Sequence, residues 1–365
     1  MEDLVMRTCF ASTYAGRRVL VTGHTGFKGS WLVQWLESME ADVTGIALDP
    51  ATTPSHWALL HSHAADHRLD IRDADAVKRV MSRARPEIVF HLAAQPLVRR
   101  GYREPAPTWA TNVLGTAHVL DAVRETPGVR AVVVVTTDKC YDNKEWPWGY
   151  RETDPLGGHD PYSASKARSE LVVNSYRSSY FNNTGAPLLA TSRAGNVVGG
   201  GDWSEDRLIP DLVRSLTAGK PLTIRSPRAT RPWQHVLDCL SGYLLLGQEL
   251  LAGRRECAEA WNFGPEAEGT RTVEEVLHIL QGHWPMLQWQ VTNQAQPHEA
   301  ALLHLDCAKA RVKLGWRPVW ELDTTLARTA SWYRRWLQDA SLSTEDDLCA
   351  YVSSARRLGL RWADA

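Results

Sequence analysis

Arg18-Val-Leu-Val-Thr-Gly-His-Thr-Gly-Phe-Lys-Gly-Ser30 is the stretch that decides the fold. Five residues of β-forming type run directly into glycines at 23, 26 and 29, and an amphipathic stretch follows over 30–39. A strand, a tight turn and a helix are the natural reading. Gly23 allows the turn, Gly26 lets backbone approach a pyrophosphate, and Gly29 permits close packing of helix on sheet. The helix start then offers unpaired N–H groups and a positive dipole end to phosphate. The spacing departs from plain G-x-G-x-x-G, and three glycines also suit an ordinary structural turn. Position after the first strand is what points to a dinucleotide.

Outward from this stretch, short apolar runs alternate with helical patterns. Strands are predicted over 18–22, 43–48, 87–93, 130–136 and 188–193, with helices over 30–39, 74–84, 107–125 and 161–180. Such alternation implies βαβ units and an α/β fold, a Rossmann doubly wound parallel sheet. Beyond about 199 the texture changes to shorter elements mixed with Pro and Trp. Helices are predicted near 205–217, 237–252, 272–281 and 321–338, with a short strand over 221–225. The expected organisation is therefore a dinucleotide-binding domain over 16–198 and a smaller α/β substrate-binding domain over 199–340. Residues 341–365 carry little usable pattern and are taken as a C-terminal tail.

Composition narrows the classes. The 365 residues are 44% hydrophobic and 23% charged, which suits a globular protein with a substantial core. Lys plus Arg total 41 against 42 acidic residues, so the net charge of −1 carries no nucleic-acid footprint. The six cysteines, at 9, 140, 239, 257, 307 and 349, form no Cys-x-x-Cys pair and no zinc-spaced cluster. No metal is expected, and reduced thiols fit a cytoplasmic enzyme. The run Ala131-Val-Val-Val-Val135 is far shorter than the ~20 residues of a membrane helix, so no membrane association is expected.

Two further features bear on chemistry. Asp49 ends the second strand, 20 residues past Gly29, where a carboxylate can bond an adenosine ribose and repel a 2′-phosphate, favouring NAD. A turn aspartate before Pro50 is the competing reading. Asp70-Ile71 is expected to end a further strand, the third in chain order, and could flank the adenine. Tyr162 and Lys166 lie four apart on a predicted helix, hence on one face. A tyrosine base near neutrality needs its pKa lowered by ~3 units, about 4 kcal/mol. A neighbouring ammonium and a positive nicotinamide both act in that direction. Alone, such a pair is also an ordinary surface pair.

Together with His91-Leu-Ala-Ala-Gln95, Asn112 and a fifth strand ending in threonine, these features resemble the extended short-chain dehydrogenase/reductase family, in its branch of NAD-dependent epimerases and dehydratases. Longer strings carry the likeness further, over about 17–338. They are Ala94-Gln-Pro-Leu-Val-Arg99, Thr136-Thr-Asp-Lys-Cys-Tyr141, Trp148-Gly-Tyr-Arg-Glu152 and Asp154-Pro-Leu-Gly-Gly-His-Asp-Pro-Tyr162. Arg193-Ala-Gly-Asn196 and Arg231-Pro-Trp-Gln-His-Val236 complete them. The resemblance implies CDP-glucose as substrate and NAD as a cofactor that is regenerated each cycle. C4 is oxidised, water leaves across C5 and C6, and hydride returns to C6.

The same resemblance assigns roles. Gly23, Thr25, Gly26, Phe27, Lys28, Asp49, Asp70, Ile71, Leu92, Ala93, Ala94 and Asn112 line the cofactor with Tyr162 and Lys166. Tyr162 takes the 4-hydroxyl proton beside Thr137, and Asp138 protonates the departing 6-hydroxyl. Relatives acting on dTDP-glucose carry Glu where this chain has Lys139. That lysine is either the C5 base, a cation stabilising the enolate, or a surface bystander. Gln95, Asn196, Arg207, Leu208, Arg231 and His298 are assigned to the nucleotide sugar, with Arg231 foremost for the diphosphate. The family also pairs subunits through helices at 107–125 and 161–180, implying a homodimer or a tetramer built from it. A nucleotide-sugar 4-epimerase and a non-catalytic NAD-binding scaffold remain as rivals. Asp138-Lys139 speaks against the first and the Tyr162/Lys166 pair against the second.

Overall fold

The computed structural model describes residues 6–266, 269–292 and 302–364. Seven strands form one parallel sheet: β1 (Arg18–Thr22), β2 (Asp42–Ala47), β3 (Ala65–Arg68), β4 (Ile88–His91), β5 (Ala131–Val135), β6 (Leu188–Ala194) and β7 (Ala260–Phe263). Their spatial order is β7-β6-β5-β4-β1-β2-β3, each neighbour parallel. The order reverses between β1 and β4, which pair Thr22 with His91. Loops leaving the C-terminal ends of these two strands diverge there and open the crevice where such sheets bind ligands.

Helices cover both faces: α1 (Phe27–Ser38), α2 (Ala74–Ala84), α3 (Gly115–Glu125), α4 (Pro161–Ser179), α5 (Leu208–Thr217), α6 (Val236–Leu251), α7 (Val273–His283), α8 (Leu322–Asp339) and α9 (Thr344–Arg357). All five residues of β5 are buried, as a strand sandwiched between helix layers requires. One helix layer includes α6, apolar almost all round and buried along most of its length, lying on β5 and β6. Residues beyond 199 are thus not confined to a separate body, since α6 and β7 complete the sheet and its cover. Short pairings build the rest: Val197–Val198 with Gln234–His235, Thr230–Pro232 with Thr270–Thr272, and Leu222–Ile224 with Trp289–Val291.

Two local expectations are corrected. The single helix expected over 107–125 is Pro105–Trp109, then a π-helical turn Ala110–Leu114, then α3. The wider turn is the kind of irregularity that often accompanies a functional site, and here it carries Asn112. The supposed C-terminal tail contains α9, whose Leu348, Tyr351, Val352 and Ala355 are buried. Tyr351 donates to Asp238 Oδ1 at 2.8 Å, and Phe10 stacks on Trp362 with ring centroids 5.0 Å apart. Among the described residues no helix is long and apolar enough to cross a membrane.

Candidate active site

The crevice begins with the glycine loop. Gly23 has φ +77°, and a Cβ there would sit 2.7 Å from the Ala93 nitrogen. At Gly29 a Cβ would lie 2.1 Å from the Gly23 carbonyl oxygen, so α1 approaches the loop as only glycine allows. A Cβ at Gly26 would meet protein no nearer than 3.3 Å, and Gly26 caps α1 without any side-chain acceptor. The first N–H groups of α1 are thus left for an anion from outside. Behind the loop, Thr22 Oγ1 lies 2.7 Å from His91 Nδ1 and accepts the Ala93 N–H at 3.2 Å. This ties the Leu92-Ala93-Ala94 turn to β1. Thr25 donates to the Leu48 carbonyl at 2.9 Å, and Phe27 faces Gly199.

At the outer end Asp49 is largely exposed, with Arg68 Nη1 3.7 Å away. Asp70 lies beyond β3 and is held below the usual carboxylate range by its hydrogen bonds from Arg72. Ile71 is buried against Gly115, where a Cβ would lie 2.5 Å from Ile71 Cδ1. Asn112 and Gln95 are engaged with protein. Asn112 accepts the Gln95 N–H at 2.8 Å and donates to Ser165 Oγ at 2.8 Å. Gln95 donates to Thr108 and Leu97 and accepts from the Leu97 N–H. These two amides shape the turn after β4.

The second cluster surrounds the buried Tyr162, on which Thr137 acts. Burial pushes Tyr162 up to about 12; Thr137 and Arg207 pull it down, while Asp138 and Asp160 push further up. The ammonium expected to lower it, on Lys166, is instead directed at the Val135 carbonyl, 3.1 Å away. Lys166 itself is pushed down to about 8 by burial and then by Lys28. Lys28 reaches the Tyr243 hydroxyl at 3.3 Å. Asp138 is buried, accepts from Thr137 at 2.9 Å, and is raised by burial against the opposing charges of Lys139 and Arg231. Lys139 is half-buried in the short 3₁₀ turn Asp138–Cys140. The structure therefore brings together a buried tyrosine, a buried acid and several cations.

Among the nucleotide-sugar candidates, Arg231 is buried on the strand Thr230–Pro232 and its charge is felt at Asp138. Arg207 pairs with the buried Asp202 at 2.9 Å, and its charge is also felt at Tyr162. Leu208 starts α5, and Asn196 is half-buried before the strand Val197–Val198. His298 lies outside the described residues. Glu170 and Thr136 were not singled out from the sequence, yet both stand directly behind the catalytic candidates. The signal available was the four-residue spacing of Glu170 from Lys166 on the same helix face.

A family model described as GDP-mannose 4,6 dehydratase matches residues 20–329. A curated CDP-glucose 4,6-dehydratase of Salmonella typhimurium is 46% identical over 353 residues, covering 94% of this chain and 98% of that protein. A dTDP-glucose 4,6-dehydratase of Streptomyces antibioticus is 33% identical over 87% of this chain and 92% of its own length. The crystal structure of DesIV, a dTDP-glucose 4,6-dehydratase from Streptomyces venezuelae with NAD and TYD bound, is similar with a TM-score of 0.73 at 29% identity. That likeness covers 88% of this chain and 99% of that one.

Proposed function

The chain belongs to the GDP-mannose 4,6-dehydratase family of NAD-dependent epimerases and dehydratases, and on that premise we propose that it converts CDP-glucose to CDP-4-keto-6-deoxyglucose and water. It is a hydro-lyase. The observation that carries the dehydratase reading is Asp138: a buried carboxyl, raised by burial, next to Thr137 and Tyr162. An epimerase has no use for an acid beside the ketone, whereas loss of the 6-hydroxyl needs a proton donor. A carboxyl that burial raises above the usual range at this position suits that task.

NAD is the cofactor of this proposal, and the glycine loop fits it. The cradle excludes a Cβ at Gly23 and Gly29, α1 opens without a side-chain cap, and Asp49 stands at the outer end of β2. When bound, NAD accepts hydride from C4 and returns it to C6. The chain's own residues do the proton work. Tyr162 takes the 4-hydroxyl proton, with Thr137 sharing that hydroxyl. Asp138 delivers a proton to the departing 6-hydroxyl. Lys139 removes the C5 proton or stabilises the enolate as a cation. Arg231, with Asn196 and Arg207 in support, holds the nucleotide diphosphate, and Leu208 contacts the nucleotide sugar.

The proposed assembly is a homodimer through α3, α4 and the turns before them. Trp109, Val113, Leu171, Val172 and Tyr176 line a groove on this face, and Leu114 and Leu171 are exposed. A second copy would cover those apolar side chains. The proposed location is the cytoplasm. Mass spectrometry of the product tests the reaction, since loss of water separates dehydration from epimerisation.

A further inference from the structure

The end of β5 is clipped to α4 at two consecutive residues. Lys166 donates to the Val135 carbonyl at 3.1 Å, and Thr136 donates to Glu170 Oε1 at 2.5 Å. Lys166 and Glu170 are one turn apart on the same face of α4. The next three residues along the chain are Thr137, Asp138 and Lys139. The other oxygen of Glu170 accepts from Arg193 and from Thr191, each at 2.8 Å. Arg193 and Glu170 are both almost wholly buried, with side chains 4% and 3% exposed. Arg193 also donates to Tyr141 and opens the segment that leads to Asn196.

We infer that Glu170 is a positioning residue for the dehydration: through Thr136 it holds Thr137, Asp138 and Lys139 in register with Tyr162, and its charge offsets the buried cations around Lys166. The inference rests on the reading of Tyr162 and Lys166 as the catalytic pair. A buried ion pair is a poor device for stability, because apolar side chains of similar volume would serve as well. It does fix geometry. Three donors converge on one carboxylate, one from the residue after β5 and two from β6, and α4 is thereby locked against both strands. The charge role follows from the neighbours of Lys166. Burial and Lys28 favour loss of its proton, and Glu170 opposes both. The titratable groups facing Lys166 include Lys28 from α1, His91 from β4, Glu170 from α4 and Cys140 after β5.

Two threonine variants separate positioning from mere structure. Thr136→Val and Thr191→Val each remove one hydrogen bond to Glu170, but only Thr136 adjoins the catalytic triplet. Glu170 Oε2 keeps Arg193 when Thr191 is lost. Thr136→Val is expected to lower kcat by roughly tenfold or more with KM for CDP-glucose within about twofold, since the loss is one of geometry at the reacting atoms. Thr191→Val is expected to leave both within about twofold. Equal effects of the two variants, or none from Thr136→Val, overturn the inference. In Glu170→Gln the alkaline fall of kcat should move to lower pH by roughly one unit. A folded Glu170→Gln enzyme with an unmoved limb would overturn the charge role, and if it does not fold, the threonine pair decides. Lys166→Met serves as the control for the underlying reading. Retained turnover there removes the catalytic pair, whereas the contrast between the threonines is read independently.

Discussion

Replacing Lys166 by Met should stabilise the protein while it destroys activity. The lysine is buried, and its pKa falls from an ordinary 10.5 to about 8. That gap corresponds to roughly 3 kcal/mol spent on keeping an ammonium in the site at neutral pH. Losing the hydrogen bond to the Val135 carbonyl returns about 1.5–3 kcal/mol of it. The net expected at pH 7 is a gain of about 1 kcal/mol. The sign with pH is definite. Below pH 8 lysine is charged in both folded and unfolded chains, and the full penalty applies. Between 8 and 10.5 the unfolded chain holds more protons, so wild-type stability rises relative to the variant. The assay is urea unfolding of the cofactor-free proteins at pH 7 and pH 10, beside turnover at pH 7. Wild type should improve on the variant by about 3 kcal/mol between the two pH values, and turnover of the variant should fall by orders of magnitude. A stability difference that does not change with pH would refute the picture of a strained ammonium at this position.

Other consequences are simpler to test. Tyr162→Phe should retain NAD binding within a few-fold and lose turnover by roughly 10³ or more, because the proton acceptor is gone. Equilibrium dialysis and product assay check the two halves. Lys139→Met should oxidise the sugar yet release little dehydrated product, measured by mass spectrometry. In Lys139→Glu, partial recovery would assign proton removal to this position, because a carboxylate accepts a proton and opposes an enolate. Gly29→Ala would bring a Cβ within 2.1 Å of the Gly23 carbonyl oxygen, so α1 must shift. NAD affinity should fall at least tenfold, read by calorimetry.

The parts of this fold that were legible in the sequence share a strong local signal. β1, β5 and α4 begin or end within a residue or so of expectation, since apolar runs and Pro161 mark their limits. The glycine loop was legible because two of its three glycines are forced by backbone contacts as short as 2.1 Å and 2.7 Å. The π turn at Ala110–Leu114 was not, because its hydrogen-bond register is set by packing against α4 and the turn after β4 rather than by composition. α9 was hidden differently. Its pattern is weak: Leu348, Tyr351, Val352 and Ala355 are buried, but Glu345, Asp346 and Asp347 crowd the first turn and no other apolar run marks the helix. In the site, residue identity pointed to Tyr162, Lys166 and Asp138. It could not show that Lys166 turns toward Val135, or that burial raises Tyr162 rather than the ammonium lowering it. Those facts depend on where side chains from distant strands meet. Tyr162 at about 12 stands near 7 kcal/mol from ionising at pH 7, more than the ~3 units assumed from reference values. The pull of Arg207 is already felt there, so the positive nicotinamide of bound cofactor must supply the difference.

The most direct test of the whole account is incubation of the enzyme and NAD with CDP-, dTDP-, UDP- and GDP-glucose in parallel, followed by mass spectrometry of each nucleotide sugar. CDP-glucose should lose one water to give the 4-keto-6-deoxy sugar, faster than any of the other three, with NAD unchanged in amount at the end. A CDP-glucose product of unchanged mass, or a clear preference for another nucleotide, would contradict the proposed function.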